Sequence, residues 1–341
     1  MRPAKKLIVR IGLLVLAVVL TGAIVSQYDV RKVDNDYIAA VLEKDRLIRN
    51  TPSPKIILVG GSNLAFGIDS HMMEDSLGLH VVNMGLYAKL GLRYMLAQVK
   101  PYIGRGDIVL VVPEYDQFYG NFANGDNTLN TALLYAPPDR ISDFIKSYSI
   151  VDVVLRPRAE NARRAFLHAA AAAVGRENEF YPPDTNPVYN RHSFNDRGDV
   201  ISHLGRKGKD PDSIYVHELP SLKTFNAKTV DDLNSVADRA VKVGARSYFM
   251  FPSYMERAYA LSDKDIDSLT AKIKKDSRMP FIGTPKDFVF PDSLFFDTRF
   301  HLTGAGRAQR TVRMIDILRT AGEREGWLPR RIAQPPIIPK G

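Results

Sequence analysis

The chain has 341 residues, 45% apolar and 25% charged, with 23 Gly, 21 Pro and no Cys, a composition that supports one sizeable core and excludes disorder, collagen and a disulfide scaffold. Without Cys there is no zinc ribbon, iron–sulfur cluster or thiol nucleophile, and the seven His nowhere take a spacing such as H-x-x-x-H, so no metal or other cofactor is expected. The formal charge of +9 is concentrated at the start, where Arg2, Lys5, Lys6 and Arg10 stand in an acid-free stretch of residues 1–26; this is a topology signal, and no nucleic-acid partner is expected.

From Leu7 to Val25 every residue except Arg10 is apolar or small, which is enough helix for a hydrocarbon layer of roughly 30 Å. Residues 1–28 are therefore expected to form a basic cytoplasmic stub and one N-terminal transmembrane helix. With positive charge retained inside, the chain is a single-pass protein of a bacterial-type cytoplasmic membrane, its partner the bilayer and its domain periplasmic or extracellular. A cleaved signal peptide is the competing reading, with Ile11–Leu20 as its apolar region and Thr21 and Ala23 as small residues before the cut. The apolar run continues through Ile24 and Val25, which favours a retained anchor.

Within 29–54, Tyr37, Ile38, Val41, Leu42 and Leu47 recur among charges, predicting an amphipathic linker helix that stands the domain off the bilayer and stops at Thr51-Pro52-Ser53-Pro54. Short apolar runs then alternate with helical patterns: Ile56–Val59, His80–Asn83, Asp107–Val112, Ser247–Phe251 and Phe281–Gly283 read as strands. The expected fold class is α/β, a three-layer α/β/α domain over 55–325 with a five-stranded parallel sheet of flavodoxin-like type. An insertion at about 119–225 interrupts it, carrying helices at Asp139–Tyr148 and Arg158–Val174 and a Pro/Asn/Gly-rich stretch from Tyr181 to Leu219. A Pro/Arg-rich tail occupies 326–341.

In an open parallel sheet, ligands bind beyond the carboxyl ends of the strands. The first such turn, Gly60-Gly61-Ser62-Asn63, presents a serine, though without the G-x-S-x-G elbow and without a P-loop lysine. Near the other end of the chain, Asp297-Thr298-Arg299-Phe300-His301 places an acid and a histidine in the loop before the last helix. A base with an orienting acid is what a weak hydroxyl nucleophile requires. Asn83-Met84-Gly85, after the second strand, adds a glycine N–H able to reach the same oxyanion position.

These blocks, in this order, resemble the SGNH (GDSL-like) hydrolase superfamily over roughly 55–325. The resemblance implies Ser62 as nucleophile, His301 as general base, Asp297 as its partner, and the N–H groups of Ser62 and Gly85, beside Asn83, in the oxyanion hole. The acid precedes His301 by four positions where the family has three, and no Asn stands at the third-block position after the third strand. Gln117, Asn121 or Tyr115 would supply the missing donor. With the membrane anchor, the resemblance extends to proteins of envelope-polymer acylation, and implies a multi-span acyl-transfer membrane protein as partner. The expected function is an extracytoplasmic O-acyl, chiefly acetyl, esterase or acyltransferase acting on a cell-envelope or exported polysaccharide by a Ser-His-Asp mechanism. The alternative is a catalytically inactive scaffold or polysaccharide-binding component of a membrane synthase.

Rival constellations carry less. Asp199 and His203, at i,i+4 spacing, read as a structural pair or lid contact, and Glu114 and Asp116 as solvated or salt-bridged acids before glycosidase carboxylates. Gly304-Ala305-Gly306 lacks the third glycine of a dinucleotide turn. The Tyr and Arg residues of 181–206 read as a surface loop, with contact to an anionic polysaccharide as the functional alternative. His71, His80, His168, His192 and His217 are given no role.

Overall fold

Short, mostly apolar runs build a sheet buried on both faces. In the computed structural model these runs form β1 (Lys55–Gly60), β2 (His80–Asn83), β3 (Ile108–Val112) and β4 (Arg246–Phe249), parallel throughout and ordered β2-β1-β3-β4. Ile56 to Val59 and Val109 to Val112 are fully shielded from solvent. The structure describes residues 3–26, 36–175 and 186–329. The start of the expected linker, the first residues of the Pro/Asn/Gly-rich stretch and most of the expected tail lie outside them.

The helices cover both faces. On one, α3 (Ser62–Gly67) and α4 (Ser70–Leu77) pack with the last helix, α11 (Gly304–Glu325); on the other, α5 (Leu92–Val99) packs with α9 (Ala227–Val243). The stretch after Ser62 forms two helices rather than one, because Asp69 caps α4 by accepting from the Met72 N–H at 3.2 Å. The insertion contributes α6 (Asn127–Tyr135), a short α7 (Ile141–Ile145) and α8 (Arg156–Ala173). Beyond β4, Tyr254–Met255 (β5) pairs with Val289–Phe290 (β6) in a separate two-stranded sheet, and α10 (Glu256–Asp276) lies between them in sequence, kinked at Ser262.

Two expectations are corrected. The sheet has four strands where five were expected: Phe281 makes one parallel bridge to Phe249 and goes no further. Pro280 precedes it, with no N–H to donate, and Gly283 turns the chain at φ +73°, so no ladder can extend. The amphipathic helix does not stand apart. A 3₁₀ turn at Tyr37–Ala40 and α2 (Val41–Asn50) press Tyr37, Ile38, Val41 and Ile48 into the main core. Lys44, on the same buried face, donates to the carbonyls of Asn83 and Gly198, both at 2.8 Å.

At the N-terminus, α1 (Pro3–Ser26) is helical over 24 residues, exposes Leu7, Ile8, Leu13 and Leu14, and lies against α8. Among the described residues no helix is long and apolar enough to cross a membrane.

Candidate active site

Register places the first elements of the site. Gly60 of β1 is paired with Val112 of β3, so the residues two positions beyond each, Ser62 and Glu114, emerge side by side. The chain leaves β1 toward β2 on one side and β3 toward β4 on the other, which makes this the switch point of the sheet, where a crevice opens. Ser62 is the first residue of α3 and 8% exposed. Its hydroxyl forms no hydrogen bond among the described residues, and its backbone N–H, in the first turn of the helix, has no intrahelical acceptor.

His301 arrives from the far end of the chain and lies on the same short helix. Its imidazole stacks on Phe66, one turn after Ser62, at 4.2 Å between centroids and 4° between planes. The loop behind it is held by the bond from the Phe296 N–H to the His301 carbonyl (2.8 Å) and by Thr298, which accepts from the His301 N–H at 3.1 Å. That closure brings Asp297 Oδ1 to 2.8 Å from His301 Nδ1, so a four-residue offset supports the acid–imidazole contact. Nδ1 is thereby occupied and Nε2 has no hydrogen-bond partner among the described residues, an arrangement that suits the tautomer a general base toward a hydroxyl needs.

A third group completes this pair. The Tyr189 hydroxyl bonds to Asp297 Oδ2 and stands 3.1 Å from His301 Nδ1. Burial pushes the Asp297 carboxyl up, but the bonds from His301 and Tyr189 hold it below the ordinary aspartate value. Burial and the neighbouring Asp297 charge raise the Tyr189 phenol well above the usual range, so it remains a donor. No protein-family model and no curated protein matches this chain.

Beneath the serine turn lies a buried polar cluster. Glu114, 1% exposed, accepts from the Asn63 N–H through Oε1 at 3.1 Å, while Oε2 has no partner. Burial raises its carboxyl above the ordinary glutamate value against the lowering effect of the Asn63 bonds. A side chain at Gly61 would put its Cβ 2.6 Å from Glu114 Oε2, so any larger residue there would push the Glu114 carboxyl aside. Arg310, fully buried on α11, donates to the Asn63 carbonyl at 2.5 Å and to Asn63 Oδ1 at 2.9 Å. Burial lowers its guanidinium to about 9, with Glu114 acting in the opposite direction.

The other sequence-derived donors go elsewhere. The Gly85 N–H is bonded to Asn83 Oδ1 at 2.9 Å, and the Asn83 amide donates to the Leu64 carbonyl (3.0 Å) and to Asp199 Oδ1 (2.8 Å). This pair shapes the turn beside α3, and in this arrangement the Gly85 N–H is not aimed at an oxyanion. Gln117 is fully buried and ties its loop to the segment after β2, accepting from the Leu92 N–H and donating to the Ala88 carbonyl, both at 2.8 Å. Asn121 bonds to Asn124 on an outer loop, and Tyr115 is buried edge-on to Tyr254 at 5.1 Å with its hydroxyl unpartnered.

Asp199 and His203 do not pair. Asp199, fully buried, accepts from the Ser70 N–H (2.8 Å), the Ser70 hydroxyl (2.6 Å) and Asn83, while neither ring nitrogen of His203 has a partner. Burial, with nearby Arg307, lowers that imidazole to about 4. Asp116 forms an ion pair with Arg299 at 2.8 Å. Sequence reasoning missed Tyr189, which lies in a stretch without periodicity, and Phe66, which reads as ordinary core.

Proposed function

We propose that this chain is an extracytoplasmic O-acyl esterase or acyltransferase of the SGNH type. It acts on acetyl groups of a cell-envelope or exported polysaccharide and works at the cytoplasmic membrane, where a multi-span acyl-transfer protein is its partner. The observation that carries the reading is the Asp297–His301–Tyr189 constellation set over the serine turn at the switch point of the sheet. Ser62 Oγ attacks the ester carbonyl and His301 Nε2 takes its proton. The Ser62 N–H stabilises the oxyanion, and the intermediate expels the sugar alkoxide, to which the imidazolium returns the proton. A water or a second sugar hydroxyl, deprotonated by the same imidazole, then attacks the acyl-enzyme and frees Ser62. A rotamer change at Ser62 or a small loop shift must close the Ser62–His301 bond, a tightening common on substrate binding.

Three observations support a second reading, a catalytically silent scaffold: the absent Ser62–His301 bond, the engaged Gly85 N–H and the lack of a side-chain donor after β3. Turnover of p-nitrophenyl acetate separates the two. The enzyme reading expects hydrolysis that Ser62→Ala reduces at least 1,000-fold; equal rates for wild type and Ser62→Ala favour the scaffold.

A further inference from the structure

Tyr189, whose hydroxyl holds Asp297 and His301, also lines a cavity of about 780 Å³ formed with residues of α6, α8 and the 3₁₀ turn at Tyr37–Ala40. Tyr37 and Tyr87 line the same cavity, and Tyr37 meets Tyr189 edge to face at 5.5 Å. Asn127 and Asn130, three apart on α6 and so on one helix face, also line it. Their amides, and the Tyr87 hydroxyl, make no hydrogen bond within the described protein, whereas the Tyr37 hydroxyl donates to the Leu86 carbonyl at 3.1 Å. The charged residues at the rim are already committed. Arg163 is bonded to Glu160 at 2.7 and 2.8 Å, and the Asp36 carboxylate accepts from the Ile38 N–H.

We infer that this cavity is the glycan subsite of the enzyme and that it takes an uncharged sugar chain, delivering an acyl ester past Tyr189 to Ser62. Aromatic faces offer apolar contact to the C–H face of a pyranose, and free amides offer paired donors and acceptors to its hydroxyls. A polyanionic chain would need unpaired cations, and the arginine at this wall is paired with a carboxylate of its own helix. The inference rests on the proposed ester chemistry for what happens at Ser62, but the binding of sugar stands independently of it.

The test uses the full chain in detergent and two ester substrates: p-nitrophenyl acetate, too small to need the cavity, and O-acetylated cello-oligosaccharides. Tyr87→Ala and Asn130→Ala are each expected to lower the ratio of kcat/KM for the sugar ester to that for the small ester by about tenfold, mainly through KM. Calorimetric titration of deacetylated cello-oligosaccharide into Ser62→Ala should show binding that Tyr87→Ala, added to it, abolishes. Oligouronate in its place should bind at least tenfold more weakly. A ratio changed less than twofold in both variants, or no sugar binding to Ser62→Ala, overturns the subsite even if the small ester is turned over. Oligouronate binding as tightly as the neutral chain overturns the assignment of charge. Absence of Ser62-dependent turnover of the small ester, with sugar binding intact, instead removes the ester chemistry and leaves the subsite standing.

Discussion

Asp297 lies between two donors, His301 and Tyr189, and each has a separable contribution. Asp297→Asn leaves the loop in place but removes the charge that fixes the imidazole tautomer, so kcat for an acetyl ester should fall by about 100-fold or more. Tyr189→Phe removes one hydrogen bond to that carboxylate, and a loss of about tenfold is expected, in line with a single charge-assisted bond. Steady-state kinetics on the two variants checks the order; a larger loss for Tyr189→Phe than for Asp297→Asn would contradict it. Glu114 gives a pH signature. Its folded-state carboxyl is raised by burial, so its contribution to stability is present below the unfolded glutamate value and is lost as pH rises through the folded one. Denaturant unfolding of Glu114→Gln should therefore show a smaller loss of stability between pH 4 and 8 than wild type. Ser62 was legible as a candidate because it occupies the turn after the first strand of the parallel sheet, and Asp297 and His301 because an acid and an imidazole share one short loop before the last helix. Tyr189 was not, since its role depends on where an aperiodic segment folds back. Gly85 was legible as a close approach but not as an engaged donor, because the bond to Asn83 Oδ1 is decided by a side-chain rotamer.

Among the elements, α2 departs most from its sequence reading. Periodicity identifies a buried face without saying what covers it, and the covering surface is the end of β2 together with the insertion. Lys44 is the fastening: buried, over the Phe194 ring at 4.6 Å, and donating to carbonyls from both partners. Burial lowers its ammonium from 10.5 to about 7, with Asp199 opposing. Across that interval the unfolded chain holds a proton that the folded one has released, so this group makes stability rise with pH from about 7 toward 10. Lys44→Met should flatten that part of the profile in urea unfolding; an unchanged slope would contradict the assignment. Gly85 tests the packing of the turn against α3. A Cβ there would meet Leu64 Cβ at 2.6 Å and the Gly61 carbonyl oxygen at 2.8 Å, so Gly85→Ala should destabilise the domain by about 1–3 kcal/mol, read as a lowered urea midpoint. The strands of the sheet were readable because continuous apolar runs leave little choice; the fifth failed because Pro280 and the turn at Gly283 stop the ladder at Phe281.

At the scale of the whole molecule, the insertion is part of the site. Backbone bonds from the Asn83 N–H to the Arg197 carbonyl (2.9 Å) and from the Val200 N–H to the Ala65 carbonyl (2.8 Å) stitch it to the end of β2 and to α3, and from this framework Tyr189 reaches the Asp297–His301 pair. The proposed orientation has its own test: protease added to intact spheroplasts should digest the domain, and complete protection would contradict export. The parallel architecture was accessible from alternation of apolar runs, whereas the union of residues 62, 189 and 301 arises only from the folded topology. The central claim is that Ser62 is a nucleophile activated by His301. Its most direct test is intact-mass measurement after incubation with a fluorophosphonate. One phosphonyl adduct on wild type, absent from Ser62→Ala and strongly slowed in His301→Ala, is predicted; an unlabelled wild type, or equal labelling of wild type and Ser62→Ala, would contradict it.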